Sequence, residues 1–183
     1  MSKIALRYAL MALTITAAVS YAPAGPDNLT AEEAAAVQTN LDRFLSLFDS
    51  LAGAPGNNKE LCQSWVADTF MQVHPKFTHP PPIGPVHGLD GLFGFCDEVR
   101  NISKVQEMRQ DGPYTWVATA ANHTQLDVLL PGVYMNDAPF AKTFHLVFKM
   151  VKNIDTFLGS VYRIQEGSEI LTTTQSNYTF PAN

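Results

Sequence analysis

The sequence has little charge, only two cysteines and no long apolar run after its first twenty residues. Charged residues make up 16% of the 183 residues, with 17 acidic against 12 basic side chains. Such a chain lacks the excess of positive charge that binds a phosphate backbone, so we expect no nucleic acid partner. No later segment has the roughly 20 consecutive apolar residues of a membrane-spanning helix. Internal repeats and low-complexity stretches are also missing.

The N-terminus has the order of features typical of a secretory signal. Lys3 and Arg7 precede an uncharged run from Tyr8 to Ser20, and small residues follow as far as Ala24. The apolar run is about a dozen residues, shorter than a bilayer requires, which favours cleavage over an uncleaved anchor. We therefore expect residues 1–24 to be a signal peptide and the mature chain to be secreted, with no membrane association after cleavage.

Glycosylation sequons are more frequent than chance predicts. Four Asn-X-Ser/Thr tripeptides without a central proline begin at Asn28, Asn101, Asn122 and Asn177. Chance would give about one in a chain of this composition, so the excess favours a eukaryotic secretory route. We expect at least two of the four to carry a glycan.

The two cysteines, Cys62 and Cys96, are an even pair in a chain expected to reach an oxidising compartment. This favours one disulfide, with two buried free thiols as the alternative. The disulfide would close a loop of about 35 residues and stabilise the fold by on the order of 3 to 4 kcal/mol in the chain-entropy model.

Helical patterns dominate the first half of the chain. Thr30 and Glu33 form the ends of a capping box, and apolar residues at helical spacing continue until just before Gly53. Shorter helices are predicted over 59–68 and 89–100, separated by a strand over 69–78 and a proline-rich loop.

The second half is rich in β-forming residues. The predicted strands cover 103–109, 115–129, 140–152 and 156–165. Three helices followed by antiparallel strands predict one α+β domain over residues 25–166, with the helices covering one face of a curved sheet. Residues 167–183 are predicted to be a flexible polar tail.

Three short segments carry a family resemblance. They are Trp65-Val66-Ala67-Asp68-Thr69-Phe70, Val73-His74-Pro75 and Pro85-Val86-His87-Gly88-Leu89-Asp90-Gly91-Leu92. Their order resembles the SnoaL-like and ketosteroid isomerase-like branch of the nuclear transport factor two-like superfamily, over about residues 30–166. The resemblance implies a cone-shaped curved antiparallel sheet wrapped around a long N-terminal helix with two shorter helices. The apolar interior of that cone binds or transforms small hydrophobic molecules, although function varies widely on the fold.

The resemblance also implies candidate catalytic residues. His74 lies where the ketosteroid isomerases have their general base, His145 where they have a protonated aspartic acid, and Phe44 where they have a tyrosine. Steroid isomerisation by that triad is therefore not expected. His74 as base and His145 as donor would suit a cofactor-independent isomerase, dehydratase or cyclase. The alternative is a noncatalytic secreted ligand-binding or interaction protein in which both histidines are structural.

Four further residues are candidates for lining a ligand pocket: Phe44, Phe48, His123 and Arg163. Arg163 would favour a small hydrophobic ligand with an acidic group, or would instead be an ordinary surface residue. His123 follows Asn122, so a solvent-facing glycan at Asn122 would turn His123 to the other face of a continuous strand.

Strand alternation also predicts a partner surface. If His145 faces inward, Phe144, Leu146 and Phe148 face outward, and such a row favours a homodimer through the sheet, with a deeper core as the alternative. No metal is expected, because His74, His79 and His87 lack a Glu or Cys that completes a zinc spacing.

Overall fold

The structure is a computed structural model that describes residues 28–52, 59–81, 83–98, 107–136, 140–155 and 159–180. The expected signal segment and Asn101 lie outside the described residues, so their roles stay predictions. Among the described helices, none is long and apolar enough to cross a membrane.

Among the residues that the structure describes, three α-helices form where the sequence predicts them. They are α1 (Ala31–Ala52), α2 (Lys59–Thr69) and α3 (Gly88–Glu98). The predicted capping box is present at the start of α1. The Thr30 backbone N–H donates to Glu33 Oε2 at 2.9 Å, and the Glu33 N–H donates to Thr30 Oγ1 at 3.2 Å. These bonds satisfy two of the N–H groups that a helix start leaves without intrahelical partners.

In the described ranges, seven strands form one sheet. They are β1 (Lys76–Thr78), β2 (Pro85–His87), β3 (Glu107–Gln110), β4 (Thr115–Ala118), β5 (Gln125–Met135), β6 (Lys142–Asp155) and β7 (Gly159–Gln175). The strand order is β2-β1-β7-β6-β5-β3, and β4 also pairs with β5. The molecule is thus α+β, as expected.

The sheet is mixed, which corrects the expectation of a purely antiparallel one. β1 runs parallel to β7, with Phe77 opposite Gly167. No hairpin joins these two strands, so chain reversal does not impose an antiparallel direction on them.

Several predicted strand boundaries are wrong. Of the strand expected over 69–78, only Lys76–Thr78 forms, and α2 continues to Thr69. The strand expected over 115–129 is interrupted by a 3₁₀ turn, Ala121–His123, so β4 and β5 are separate strands. The tail expected from Gly167 is the second half of β7, because β6 supplies pairing partners as far as Gln175. Ser176–Phe180 follows without regular structure, and its start is bound to the beginning of β6 by the Ser176 N–H, which donates to the Ala141 carbonyl at 2.9 Å.

The core lies between the helices and the inner face of the sheet. Its centre is an aromatic cluster: the Phe44 ring centroid is 5.0 Å from that of Phe148, 5.3 Å from Phe77 and 5.5 Å from Trp65. Aromatic pairs at such separations stabilise a core beyond the area they bury.

Candidate functional site

The alternation predicted for β6 is reversed. Phe144, Leu146 and Phe148 are completely buried, and His145 is exposed on the outer face of the sheet. Burying three large apolar side chains is worth several kcal/mol, whereas burying one imidazole requires a hydrogen-bond partner. The prediction that these three side chains form an outer partner surface is therefore wrong, and the deeper core was the correct alternative.

His74 is also exposed and lies in a turn between α2 and β1. Its φ of 46° is uncommon for a residue other than glycine. The Gln165 side chain holds this turn by donating to the His74 carbonyl at 2.8 Å. Gln165 and Ile170, the β7 partner of His145, are five residues apart, or about 17 Å along a strand. The structure does not bring the two predicted catalytic histidines into one cavity.

The predicted pocket residues are dispersed as well. Phe44 fills the core, so it does not line an open pocket, and the Phe48 side chain lies outside what the structure describes. The Arg163 guanidinium donates to the Ala67 carbonyl near the end of α2. This contact ties β7 to α2, which is a structural role.

His123 takes part in a charged network at the start of α1. Its Nδ1 lies 3.1 Å from Glu33 Oε2, and Lys152 Nζ donates to Glu33 Oε1 at 2.8 Å. Burial raises the pKa of the Glu33 carboxyl, but the bonds from Lys152, the Thr30 N–H and His123 outweigh it and bring that pKa to about 2. The Glu33 carboxylate thus has hydrogen-bond and ionic partners for both oxygens, as expected of a residue with a structural role.

Three of the four sequon asparagines are described. Asn28, Asn122 and Asn177 are all exposed. Asn122 lies in the 3₁₀ turn with a φ of 54°, so the alternation used to orient His123 does not apply there. Exposure is compatible with glycosylation, and their occupancy stays a prediction.

Sequence reasoning missed a buried pair of ionisable residues, Glu169 and His79. Glu169 is 4% exposed and His79 is 2% exposed. The parallel register that sets Phe77 opposite Gly167 and Thr78 opposite Ser168 places His79 beside Glu169. Their Nε2 and Oε2 atoms are 3.4 Å apart. Two strands distant in sequence thus bring an acid and an imidazole together inside the protein.

The surroundings of this pair are unusual for a carboxyl group. Neither Glu169 oxygen accepts or donates a hydrogen bond among the described residues. Burial therefore raises the pKa of Glu169 to about 8, which keeps it largely protonated at neutral pH. The negative charge of Glu169 in its ionised form also contributes, after burial, to the raised pKa of Tyr134.

The histidine has a defined orientation. Its Nδ1 lies 2.8 Å from the Pro80 carbonyl, which can only accept, so this nitrogen carries a hydrogen. In the neutral ring, Nε2 is then the acceptor and faces Glu169. One proton can be held by the carboxyl or by the imidazole, which makes the pair capable of acid–base chemistry.

A sequence pattern typical of a strand could have located Glu169, one of the two residues of this pair. The run Ile170-Leu171-Thr172-Thr173-Thr174 is rich in β-branched residues, as is typical of a strand. Extending the last strand through it would have put Glu169 on the same face as Gly167 and Leu171. The contact with His79 has no such signal, because it depends on which strand lies beside β7.

Neither of two surface cavities among the described residues is lined by this pair. One, of about 150 Å³, lies between α1 and α2 and includes Arg43 and Asp68 in its lining. The other, of about 460 Å³, lies between Ser176–Phe180 and the start of β6. Within these ranges no group of three His, Cys, Asp or Glu side chains could hold a metal ion.

No family model and no curated protein sequence matches this chain. Among solved structures, it is similar to the yeast UBP3-associated protein BRE5, with a TM-score of 0.56, 12% identity and coverage of 80% of this chain and 100% of that one. It is also similar to a ketosteroid isomerase-like protein from Erwinia carotovora atroseptica, with a TM-score of 0.53, 15% identity and coverage of 79% and 100%. The chain has a nuclear transport factor two-like fold.

A third similar structure is a putative aromatic ring hydroxylase from Novosphingobium aromaticivorans, with a TM-score of 0.54, 14% identity and coverage of 81% and 95%. The nuclear transport factor two-like fold therefore occurs in proteins whose names indicate different functions. The similarity confirms the α+β, nuclear transport factor two-like fold that the sequence resemblance implied. Function has to be argued from the residues of this chain.

Proposed function

We propose that this protein is a secreted small-molecule-binding protein whose site is the buried Glu169 and His79 pair. One observation carries the proposal: a carboxyl group with no hydrogen-bond donor among the described residues faces an oriented imidazole in an apolar interior. Leaving a buried carboxyl without partners is costly to stability, and ionisable groups with strongly shifted pKa values concentrate at functional sites.

The ligand that fits is a small hydrophobic molecule with a carbonyl or another oxygen acceptor. A protonated Glu169 would donate a hydrogen bond to that oxygen, and the apolar surroundings, including the Phe95 ring 5.7 Å from the His79 ring, would hold the rest. The finer proposal is a cofactor-independent isomerase, dehydratase or cyclase in which this pair replaces His74 and His145 as the acid–base groups. Because the two Glu169 oxygens are inaccessible to solvent, ligand entry requires local opening around the site.

The test uses protein purified from the medium of a eukaryotic secretory host. Small molecules that co-purify are extracted and identified by mass spectrometry for the unmodified protein, Glu169→Leu and Glu166→Leu, because leucine removes the hydrogen-bond donor that glutamine would retain. Glu166 is the matched control, since it lies on the same strand but is ion-paired on the surface with Lys76 at 3.1 Å. We expect one compound with the unmodified protein and Glu166→Leu, and at least tenfold less with Glu169→Leu. The same empty result for all three proteins, or equal retention by all three, would contradict the proposal.

A second observation favours self-association through the outer face of the sheet. Leu129, Val147 and Ile170 are exposed by 39%, 41% and 54%, although each lies in the middle of a strand. Leu129 and Val147 pair directly across β5 and β6. Next to this apolar strip, the Glu166 carboxylate forms ion pairs with Lys76 and Lys149. The border of the strip therefore carries charges of both signs.

We propose that a second copy of the chain covers this strip, because a mixed-charge border can complement itself under two-fold symmetry. Light scattering after size exclusion should give a dimer for the unmodified protein and a monomer for Val147→Glu. Val73→Glu is the control: Val73 is 63% exposed but lies in the turn before β1, and this variant should remain dimeric. A monomeric unmodified protein at micromolar concentration would rule the interface out.

A further inference from the structure

The groove beside the C-terminal segment has the size and the aromatic lining of a ligand site. We call it the C-terminal groove: a space of about 460 Å³ between Gln175–Phe180 and the two residues before β6, Phe140 and Ala141. Its size lies within the roughly 300 to 1,000 Å³ of small-molecule sites. Phe140, Tyr178 and Phe180 line it and are each half-buried. The Tyr178 and Phe180 rings meet edge to face, with centroids 5.0 Å apart.

Backbone contacts hold one wall of this groove in place. The Ser176 N–H donates to the Ala141 carbonyl, which extends the pairing of β7 with β6 by one further bond. The Tyr178 N–H donates to Ser176 Oγ at 3.0 Å. These two bonds position the aromatic rings that follow.

The lining favours a neutral, hydroxyl-rich ligand. Among the described residues that line the groove none is charged, whereas Gln175 and Asn177 contribute amides and Thr179 contributes a hydroxyl. Lys142 Nζ lies 5.9 Å from the Phe140 ring centroid but does not line the groove. Aromatic rings pack on the C–H faces of a sugar ring, and amides donate to and accept from its hydroxyls. An ionic ligand would find no counter-charge among these residues.

Asn177 offers an attachment point for a sugar beside the groove. It is exposed, lines the groove and begins the sequon Asn177-Tyr178-Thr179. We propose that Asn177 carries an N-linked glycan and that the first sugar residue of this glycan packs into the C-terminal groove. Because the glycan is attached to Asn177, its first sugar has a high effective concentration at the groove, so even weak stacking on the aromatic rings suffices to hold it there. The inference rests on the secretory route proposed above and is independent of the Glu169 site.

The test is the rate at which peptide:N-glycosidase F releases each glycan from protein made in a eukaryotic secretory host. Release converts Asn to Asp, so peptide mass spectrometry follows each sequon separately. In the native protein we expect release at Asn177 to be at least tenfold slower than at Asn122, which lies in an exposed turn. After denaturation the two rates should be equal.

Two substitutions of Tyr178 test whether its aromatic ring protects the glycan. Both preserve the sequon, because Tyr178 is the central residue of Asn177-Tyr178-Thr179. Tyr178→Ala should bring native release at Asn177 to within twofold of Asn122, and Tyr178→Phe should retain the protection. If Tyr178→Ala does not fold, the comparison of native and denatured unmodified protein decides alone.

An unmodified Asn177 in a protein glycosylated at Asn122 overturns this inference and leaves the secretory route intact. Equal native release rates at the two sites, or a free sugar bound in the groove of a chain unmodified at Asn177, also overturn it. A protein that is not secreted and carries no glycan overturns both this inference and the secretory route.

Discussion

Glu33 and Glu169 are both buried carboxyl groups, but their surroundings shift their pKa values in opposite directions. Three donors from the Lys152 side chain, the Thr30 backbone and the His123 side chain hold Glu33 ionised, with a pKa of about 2. Glu169 has no such donors within the described part of the chain, and burial holds its pKa at about 8. The difference between a structural carboxylate and a candidate acid is thus the number of donors placed around it.

Replacing Glu169 by glutamine should stabilise the empty protein at neutral pH. The folded state keeps the carboxyl protonated up to about pH 8, whereas the unfolded state ionises near pH 4.5. Stability therefore falls as the pH rises between these values, by roughly 3 kcal/mol at pH 7. Glu169→Gln should remove most of this loss in urea denaturation at pH 7 and change stability little at pH 4. Glu60→Gln, at an exposed position in α2, is the control, and a destabilised Glu169→Gln protein at pH 7 would contradict the expected pKa.

At the scale of elements, β1 and β7 approach each other closely because Gly167 has no side chain. A Cβ at Gly167 would lie 2.5 Å from Phe77 Cδ2 and 3.0 Å from Phe148 Cδ1. The Phe77 ring occupies that space, and the close approach sets the register that brings His79 to Glu169.

Gly167→Ala should therefore destabilise the protein by about 3 kcal/mol, since the core rings must move. Gly94→Ala in α3 is the matched control, because a Cβ there meets nothing within 4 Å. Alanine also favours a helix interior over glycine, so this control should gain about 0.5 to 1 kcal/mol. Chemical denaturation of both variants measures the difference, and equal effects would contradict the proposed packing.

The disulfide between α2 and α3 is the second element-scale feature. Cys62 and Cys96 are bonded across a separation of 34 residues, as the sequence predicted. Removing both with Cys62→Ala and Cys96→Ala should cost about 3 to 4 kcal/mol and lower the Tm by about 10 °C. Calorimetry with and without reductant checks this: reductant should lower the Tm of the unmodified protein and not that of the double variant. An unmodified protein insensitive to reductant would contradict it.

At the scale of the whole molecule, the two carboxyl groups predict a stability maximum at mildly acidic pH. The Glu33 network connects α1 to β6 and to the turn before β5, and its contribution is present above pH 4.5 and lost as the pH falls towards 2. The Glu169 contribution is present below pH 4.5 and lost as the pH rises towards 8.

Urea midpoints measured from pH 3 to pH 9 should therefore peak near pH 4.5 to 5. Glu33→Gln should reduce the pH dependence on the acid side of the profile by about 2 kcal/mol, a value that allows for solvent screening of the Glu33 ion pairs. Glu169→Gln should reduce the pH dependence on the alkaline side. Glu60→Gln, at an exposed position in α2, should leave the profile unchanged. A maximum at or above pH 7 would contradict the opposite shifts.

Much of the fold, but little of the candidate site, could be predicted from the sequence. The capping box at Thr30 and the helical spacing behind it locate α1, because these signals involve residues three or four positions apart. The inward face of β6 is less determined. Leu146 and its aromatic neighbours alternate with His145, and assigning the inner position to His145 by resemblance selected the wrong face.

The sequence by itself determined the three helices, the cysteine pairing and the succession of β-rich segments, because each depends on local patterns or on a single choice of partner. Only the tertiary structure decided that β1 lies parallel to β7 and that His79 meets Glu169. Those features depend on pairing between residues about 90 positions apart. No local pattern encodes that pairing, whereas the packing of Phe77 over Gly167 fixes it.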